Sequence, residues 1–276
     1  MRRKLFILFF ILFTNGYSFA QIPRQIETSG KIELTKWMTG KFSYFNLDAI
    51  GNLYVINENG QIKKYDSYGD SSQVFQDVKK WGRPNYIDVS NPLKVRVFFP
   101  DYLAIVTLDR LMNPRATLNL RKNNHFRVKG IATSYDNHLW VYDEQLCRIF
   151  KMDDEGNLLL ESADLRNVTG QTPSDIRLTD RNGEIYMFDA KSGIFILDYY
   201  GAFKKRIPEM FGNNGGIDRE YAYVFEGETL KMYNIKDQTI KDIALYDFVK
   251  NNEPAMVFGG MLYVLKKDGI YRCSLN

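Results

Sequence analysis

The sequence predicts an all-β fold: a six-bladed β-propeller with four-stranded antiparallel blades, its ring closed by an N-terminal strand in the last blade. Three observations support this. Apolar and polar residues alternate over short segments between turns rich in Gly, Asn and Asp, which is the pattern of half-buried strands. Such a unit recurs six times, at intervals of 36 to 46 residues. The chain also stops one strand short of completing its sixth unit.

The first unit is the clearest copy of this repeat. Residues 48–70, "DAIGNLYVINENGQIKKYDSYGD", alternate, break at Gly60, alternate again and end on Asp66-x-x-Gly69. We predict the four strands of this unit at residues 44–47, 53–57, 61–65 and 73–75. The leading positions of the six units are Leu53, Leu93, Leu139, Ile185, Tyr221 and Leu262, and the second unit is the most irregular. A strand-rich period of roughly 40–50 residues is typical of a propeller, and a β-sandwich and rings of five or seven blades are the alternatives.

The two ends of the chain complement each other. The sixth unit stops at Asn276 directly after its third strand. An unassigned strand-like segment, "KIELTK" at residues 31–36, precedes the first unit. We predict that this segment is the outer strand of the last blade, because such a closure removes two exposed sheet edges.

The N-terminus has the layout of a cleavable signal peptide. Three basic residues (Arg2, Arg3 and Lys4) precede an apolar run at residues 5–13, and Ser18 and Ala20 sit before a predicted cut at Gln21. Residues 1–20 are therefore predicted to be a leader and residues 21–276 a single exported domain, periplasmic or associated with the outer membrane. Loss of the three basic residues lowers the formal net charge from +4 to +1, which gives no support to a nucleic acid or anionic membrane as partner. No direct membrane span is predicted.

Two cysteines remain in the exported chain, Cys147 and Cys273. They fall in the third and sixth units, which lie opposite each other in a six-membered ring. A disulfide requires Cα atoms within about 7 Å, so we predict two free thiols.

The repeat resembles a known class. The pattern Asp48-x-x-Gly51-Asn52-Leu53-Tyr54-Val55, followed by Gly60-x-Ile62-x-x-Tyr65-Asp66, resembles the NHL-type repeat and is similar to the six-bladed gluconolactonase-like propellers. This resemblance implies fold more than activity. The leader ending "SFAQ" and the Asn-, Lys-, Tyr- and Phe-rich composition also resemble secreted proteins of Bacteroidota, whose propellers serve glycan use and type IX secretion.

A metal-dependent hydrolase is one alternative function. Gluconolactonase-like propellers hold a divalent ion in the central channel with oxygen ligands, and the resemblance implies Asp88, Asp175, Asp180 and Asp218 as the positions to consider. Only Glu27 and Glu33 could supply the Glu expected near the first strand, and aspartates at strand ends are also ordinary turn residues. The two histidines lack zinc spacing, and "GNNGG" at residues 212–216 is predicted to be a turn rather than a phosphate cradle. We therefore predict no catalytic residues, no metal and no cofactor.

The most informative surface is a predicted rim on the first three units. Loops between units and loops between second and third strands emerge on one propeller face. They include "KKWGRPNY" at residues 79–86, "FFPDY" at 98–102 and "KNNHFRVKG" at 122–130. Consecutive Phe98 and Phe99 before Pro100 predict at least one exposed aromatic at the turn. Aromatic and Arg enrichment is typical of protein interfaces, so the candidate partner-binding residues are Trp81, Arg83, Phe98, Phe99, Tyr102, His125, Phe126 and Arg127; packing between blades is the alternative for each.

These observations favour a non-enzymatic binding or scaffold subunit of a cell-envelope complex, with a protein partner and type IX secretion as its setting. The divalent-metal hydrolase and a glycan-binding propeller are the alternatives.

Overall fold

The chain forms a ring of six sheets, as seen in a computed structural model that describes residues 24–27, 33–245, 248–250 and 253–275. The predicted signal peptide lies outside the described residues. Each sheet contains four antiparallel strands that form one blade, and successive blades contact one another mainly through their first strands around a central axis. The predicted six-bladed β-propeller is thus confirmed. None of the described helices is long and apolar enough to cross a bilayer.

The first three blades follow the sequence order of their strands, from the innermost outward. Two strands precede them, β1 (Arg24–Glu27) and β2 (Thr35–Thr39). Blade 1 contains β3 (Phe42–Leu47), β4 (Leu53–Asn57), β5 (Ile62–Tyr65) and β6 (Ser71–Phe75); blade 2 contains β7 (Tyr86–Asp88), β8 (Val95–Phe99), β9 (Ala104–Leu108) and β10 (Pro114–Asn119); blade 3 contains β11 (Val128–Thr133), β12 (Leu139–Asp143), β13 (Arg148–Met152) and β14 (Leu158–Glu161).

The other three blades continue the same order. Blade 4 contains β15 (Ile176–Arg181), β16 (Glu184–Asp189), β17 (Gly193–Leu197) and β18 (Phe203–Ile207); blade 5 contains β19 (Asn213–Asp218), β20 (Tyr221–Glu226), β21 (Thr229–Asn234) and β22 (Ile240–Ala244); blade 6 contains β23 (Ala255–Phe258), β24 (Met261–Lys266) and β25 (Gly269–Ser274). Short helices α1 (Val78–Trp81) and α2 (Leu165–Thr169) and a 3-10 turn (Leu120–Asn123) lie between blades.

Blade 6 is closed by the N-terminal part of the chain, as predicted. The closing strand is β2, which pairs antiparallel with β25 from Thr35 opposite Arg272 to Thr39 opposite Gly269. It therefore begins four residues later than the predicted segment 31–36, of which residues 31 and 32 lie outside the described residues. The ring of Trp37 explains this placement, because it packs edge-on against Tyr263 of the same blade at 5.1 Å between ring centres.

Blade 5 has one strand more than predicted. Strand β1 pairs in parallel with β22, with Arg24 opposite Ile240 and Glu27 opposite Ile243. It therefore covers the outer edge of this blade, where unpaired backbone groups would otherwise be open to another chain.

The hydrophobic core lies between blades rather than within one layer. Six clusters of buried residues each draw their members from two neighbouring blades, and together they complete the ring. Leading positions such as Leu53, Leu139 and Ile185 are 2% exposed or less because they fill these interfaces. The predicted leading position of the second unit is wrong: Leu93 is 69% exposed in the longer turn before β8, and fully buried Val95 takes its place.

The Asp-x-x-Gly motif closes turns and carries no site. The carboxylate of Asp66 accepts hydrogen bonds from the backbone N–H groups two and four residues later, at 2.9 and 3.0 Å. Asp198 does the same at 2.9 Å in the equivalent turn of blade 4. These side-chain bonds satisfy turn N–H groups that have no ladder partner.

Both cysteines are buried free thiols, so the absence of a disulfide between them is confirmed. Cys273 lies in β25, whereas Cys147 lies in the turn before β13 with a φ of 52°.

Candidate functional site

The structure brings the three predicted rim segments together on one face, here called the upper face, where the loops between blades and between second and third strands emerge. The backbone N–H of Asn85 donates to the carbonyl of Phe98 at 3.2 Å, which joins the first segment to the second. The N–H of Leu120 donates to the carbonyl of Leu103 at 2.8 Å, and this bond joins the second segment to the third. The side chains of blades 1 to 3 on this face therefore belong to one continuous surface.

Four of the eight predicted rim residues are exposed on it. Tyr102 and Phe126 are 51% and 55% exposed, and together they present two large rings on neighbouring loops. Arg83 and Arg127 are also exposed, and Arg127 forms an ion pair with Glu144 at 2.8 Å. We call Arg83, Tyr102, Phe126 and Arg127 the upper-face patch.

Two other predicted residues are not available to a partner. Phe98 and Phe99 are 3% and 1% exposed, so the prediction that one of them is exposed at the turn is wrong. They are the last two residues of β8, and the turn begins only at Pro100. Because side chains alternate along a strand, Phe99 fills the core between blades 1 and 2 and Phe98 fills the core between blades 2 and 3.

Trp81 and His125 support the loops from beneath. Trp81 is half-buried against the core between blades 1 and 2. His125 is 5% exposed, and its ring lies 4.4 Å from that of Phe150. Its Nδ1 is 3.4 Å from a carboxylate oxygen of Asp143, but burial lowers the pKa of His125 and favours the neutral imidazole. Both side chains pack between blades.

The four aspartates considered for a metal do not form a ligand set. Asp88 and Asp218 are buried, and each accepts hydrogen bonds from backbone N–H groups of the next blade. Asp180 accepts from an indole N–H of blade 3 at 3.0 Å, and burial raises its pKa. Asp175 is exposed near the upper face. Within the described part of the chain, no three His, Cys, Asp or Glu side chains are grouped as metal ligands would be.

The central channel contains two cavities. The upper one, of about 240 Å³, opens between the inner strands of blades 1 to 5. The lower one, of about 270 Å³, lies toward the opposite face. Among the described residues, only Tyr86 and Arg177 line both cavities, so their side chains form the partition between them.

Three tyrosines surround Arg177 at this partition. The guanidinium carbon lies 5.6 Å from the ring centre of Tyr86, and Tyr86 packs edge-on against Tyr44 at 5.8 Å. Burial raises the pKa of Tyr44 to about 12, and burial likewise raises the pKa values of Tyr86 and Tyr223. The three phenols are therefore neutral and able to donate hydrogen bonds.

Glycines in β19 make room for this arrangement. The prediction that residues 212–216 form a turn is wrong, because Asn213 to Gly216 begin the inner strand of blade 5 with an irregular register. A Cβ atom at Gly216 would lie 2.5 Å from the hydroxyl of Tyr223, and one at Gly215 would lie 2.5 Å from the ring of Phe188. The missing side chains let both rings reach toward the channel.

Sequence reasoning did not find Arg177 or the tyrosines around it. A usable signal was present, because Arg177 is a charged residue in "IRLTD", the start of the segment that forms the innermost strand β15. A charge at such a position has to face either the channel or a core.

Comparisons with known proteins identify the fold but no family and no function. No protein-family model matches the chain, and no curated protein matches it by sequence. A streptogramin B lyase structure is similar at a TM-score of 0.60 and 13% identity, covering 89% of this chain and 88% of that one. An inactive virginiamycin B lyase from Staphylococcus aureus, crystallised with quinupristin, is similar at 0.60 and 14% identity over 84% and 80% of the two chains. A Bacteroides thetaiotaomicron protein of unknown function is similar at 0.58 and 11% identity over 92% and 75%.

Proposed function

We propose that this protein is an exported, non-enzymatic binding subunit of a cell-envelope protein complex, and that it engages a protein partner through the upper-face patch. The observation that supports this is the pair Tyr102 and Phe126, whose large rings are both more than half exposed on adjacent, hydrogen-bonded loops. Arg83 and Arg127 flank them. Exposed aromatic and Arg side chains together are typical of binding hot spots.

The loops that carry the patch are held by the fold. The side chain of Arg121 donates to the carbonyl of Asp101 at 3.0 Å, and the side chain of Asn119 caps the 3-10 turn that leads to Phe126. A surface that is already ordered loses little conformational entropy on binding. Rigid presentation of the patch is the mechanism we propose.

The setting we propose is the envelope of a Bacteroidota bacterium, with type IX secretion as the process served. The N-terminal leader and the composition support it. The fold likeness to a Bacteroides protein agrees with this setting and adds no detail of function.

Affinity purification after mild detergent extraction, read by mass spectrometry, tests the proposal. The double variant Tyr102→Ser, Phe126→Ser should lose the co-purifying envelope proteins by at least about tenfold, as expected for hot-spot side chains. The matched control is Tyr68→Ser, which removes a ring that is 92% exposed in the β5–β6 turn on the opposite, lower face. Equal recovery from the double variant and the wild type would show that the patch is not the binding surface.

A glycan-binding function is a second candidate, favoured by three tyrosines on the lower face of blades 3 and 4. The ring of Tyr199 lies 5.0 Å from that of Tyr135 and 5.1 Å from that of Tyr200. Tyr135 and Tyr200 are 57% and 68% exposed. Binding on a glycan array that Tyr200→Ala abolishes would support this function, and an array without signal would remove it.

A further inference from the structure

Arg177 is a half-buried cation without a described counter-charge. Its Nε is enclosed and has no hydrogen-bond partner. The guanidinium hydrogen-bonds to the neutral phenol of Tyr86, and no described carboxylate forms an ion pair with it. The Nε of fully buried Arg96 also lacks a partner, but this guanidinium donates to Asp154 at 3.1 Å and to the hydroxyl of Thr133 at 2.6 Å. A partly desolvated guanidinium with no carboxylate beside it is unfavourable unless a ligand supplies one.

The nearest other charges do not neutralise Arg177. Lys129 and Asp175 line the mouth of the upper cavity and carry opposite charges. Asp88 lies close enough to raise the pKa of Tyr86, but its two oxygens accept hydrogen bonds from backbone N–H groups and not from the guanidinium. The floor of the upper cavity therefore carries a positive charge that no described carboxylate contacts directly.

The walls of the upper cavity are aromatic. Tyr44, Tyr86, Phe98 and Phe188 line it, while amide side chains lie at the mouth. The volume of about 240 Å³ exceeds that of an engineered apolar cavity of roughly 150 Å³ that binds benzene, so it is enough for a single aromatic ring with a small polar group. A guanidinium at the end of an aromatic-lined cavity matches the planar fork of a carboxylate.

We propose that the upper cavity of the central channel binds a carboxylate on an apolar or aromatic body, with Arg177 as its counter-charge. A monoanionic carboxylate fits better than phosphate for two reasons. Phosphate carries nearly two negative charges against the single positive charge of Arg177, and it has no apolar part to pack against the aromatic walls. The carboxylate could belong to a free acid or to the end of a peptide chain. This site does not depend on the upper-face patch or on the cell-envelope complex, so either proposal can fail alone.

Isothermal titration calorimetry of the full exported chain at pH 7, in a buffer without competing carboxylates, tests the site. The probes are benzoate, its neutral counterpart benzamide, inorganic phosphate, and a hexapeptide ending in Phe with either a free or an amidated C-terminus. We expect one benzoate or one free-ended peptide per chain, and affinity at least tenfold lower for benzamide and the amidated peptide. Benzoate alone identifies a free acid as the source, and the peptide alone identifies a chain end.

Variants connect the binding to Arg177. Arg177→Gln should weaken binding about tenfold to a hundredfold, as for the loss of a hydrogen bond to a charged group. Arg177→Lys keeps the charge without the fork and should weaken it less. Arg110→Gln, at an exposed arginine outside the cavity and outside the upper-face patch, is the matched control and should change affinity less than twofold. Circular dichroism of each variant establishes that it is folded.

Several results would overturn the proposal. These are no binding of either carboxylate probe, equal affinity for benzoate and benzamide, tighter binding of phosphate than of benzoate, or equal loss in Arg110→Gln and Arg177→Gln.

Discussion

Replacing Gly215 by alanine should destabilise the propeller, and the structure allows the size of the effect to be worked out. A Cβ atom at this position would lie 2.5 Å from Cγ and Cδ1 of Phe188 and 2.6 Å from its Cβ. Phe188 is 3% exposed in the core between blades 4 and 5. Its Cβ is attached directly to the backbone of β16, so rotating the ring alone would not relieve the clash. The effect is purely steric, since the φ of Gly215 is not in the left-handed region.

Overpacking a core lowers the free energy of unfolding by about 1–3 kcal/mol. Because the new Cβ would contact three atoms at once, we expect the cost at Gly215 to lie near the upper end of this range. Replacing Gly by Ala also lowers the conformational entropy of the unfolded chain, which stabilises the folded state by about 0.4–1 kcal/mol. We therefore expect a net loss of about 2 kcal/mol, or a Tm lower by roughly 4–8 °C.

Gly130→Ala is the control, because Gly130 is in β11 and lines the same cavity. Its Cβ would meet Cγ of Leu178 at 3.1 Å and Cγ2 of Ile176 at 3.2 Å, which small side-chain shifts can relieve. Its net change should stay within about 1 kcal/mol. Urea unfolding followed by circular dichroism and thermal melts measure both. A Gly215→Ala variant as stable as the wild type, or an equal loss in Gly130→Ala, would refute this account of the inner strand.

Three further predictions concern buried polar groups. Arg177→Met should raise the free energy of unfolding by about 1 kcal/mol, because it removes a partly desolvated cation that has no described carboxylate partner. Arg96→Met should lower the free energy of unfolding by about 2 kcal/mol, because it breaks the ion pair with Asp154. Urea titration measures both, and a destabilised Arg177→Met would mean that the arginine is structural. Burial lowers the pKa of His125, so the folded protein favours the neutral imidazole. This preference stabilises the fold in full at pH values above the unfolded pKa of 6.5, and the stabilisation is lost as the pH falls below 6.5. The Tm of wild type should therefore fall more steeply than that of His125→Phe between pH 6.5 and 5, and parallel curves would contradict this. Cys147 and Cys273 are buried, and burial raises the pKa of Cys273 to about 11. A thiol reagent such as DTNB should therefore label neither cysteine in the native protein and both cysteines in guanidinium chloride. Rapid labelling of the native protein would contradict their buried placement.

Much of the fold could be predicted because its signals are local. Alternation along a strand and Asp, Asn or Gly at a turn depend on residues a few positions apart, and both were legible in the unit around Leu53. In the second unit, the predicted leading position Leu93 was wrong because a longer turn shifts the start of the strand to Val95. The closing strand was displaced for a different reason, since its position depends on pairing with residues at the far end of the chain.

The candidate sites depended more on tertiary structure. Proximity to a turn was a good guide to exposure for Tyr102 and Phe126 but not for Phe98 and Phe99, because two extra residues of strand turn their rings into the cores on either side. His125 reads as a loop residue in sequence and is buried once blade 3 covers it.

The sequence by itself determined six strand-rich units, their spacing and the loops that would share a face. Only the tertiary structure decided which side chains meet at the axis. Arg177 and the tyrosines at 44, 86 and 223 come from four blades and approach one another only when the ring is closed. Short-range patterns set the strands, whereas contacts across the channel follow from the geometry of the whole ring.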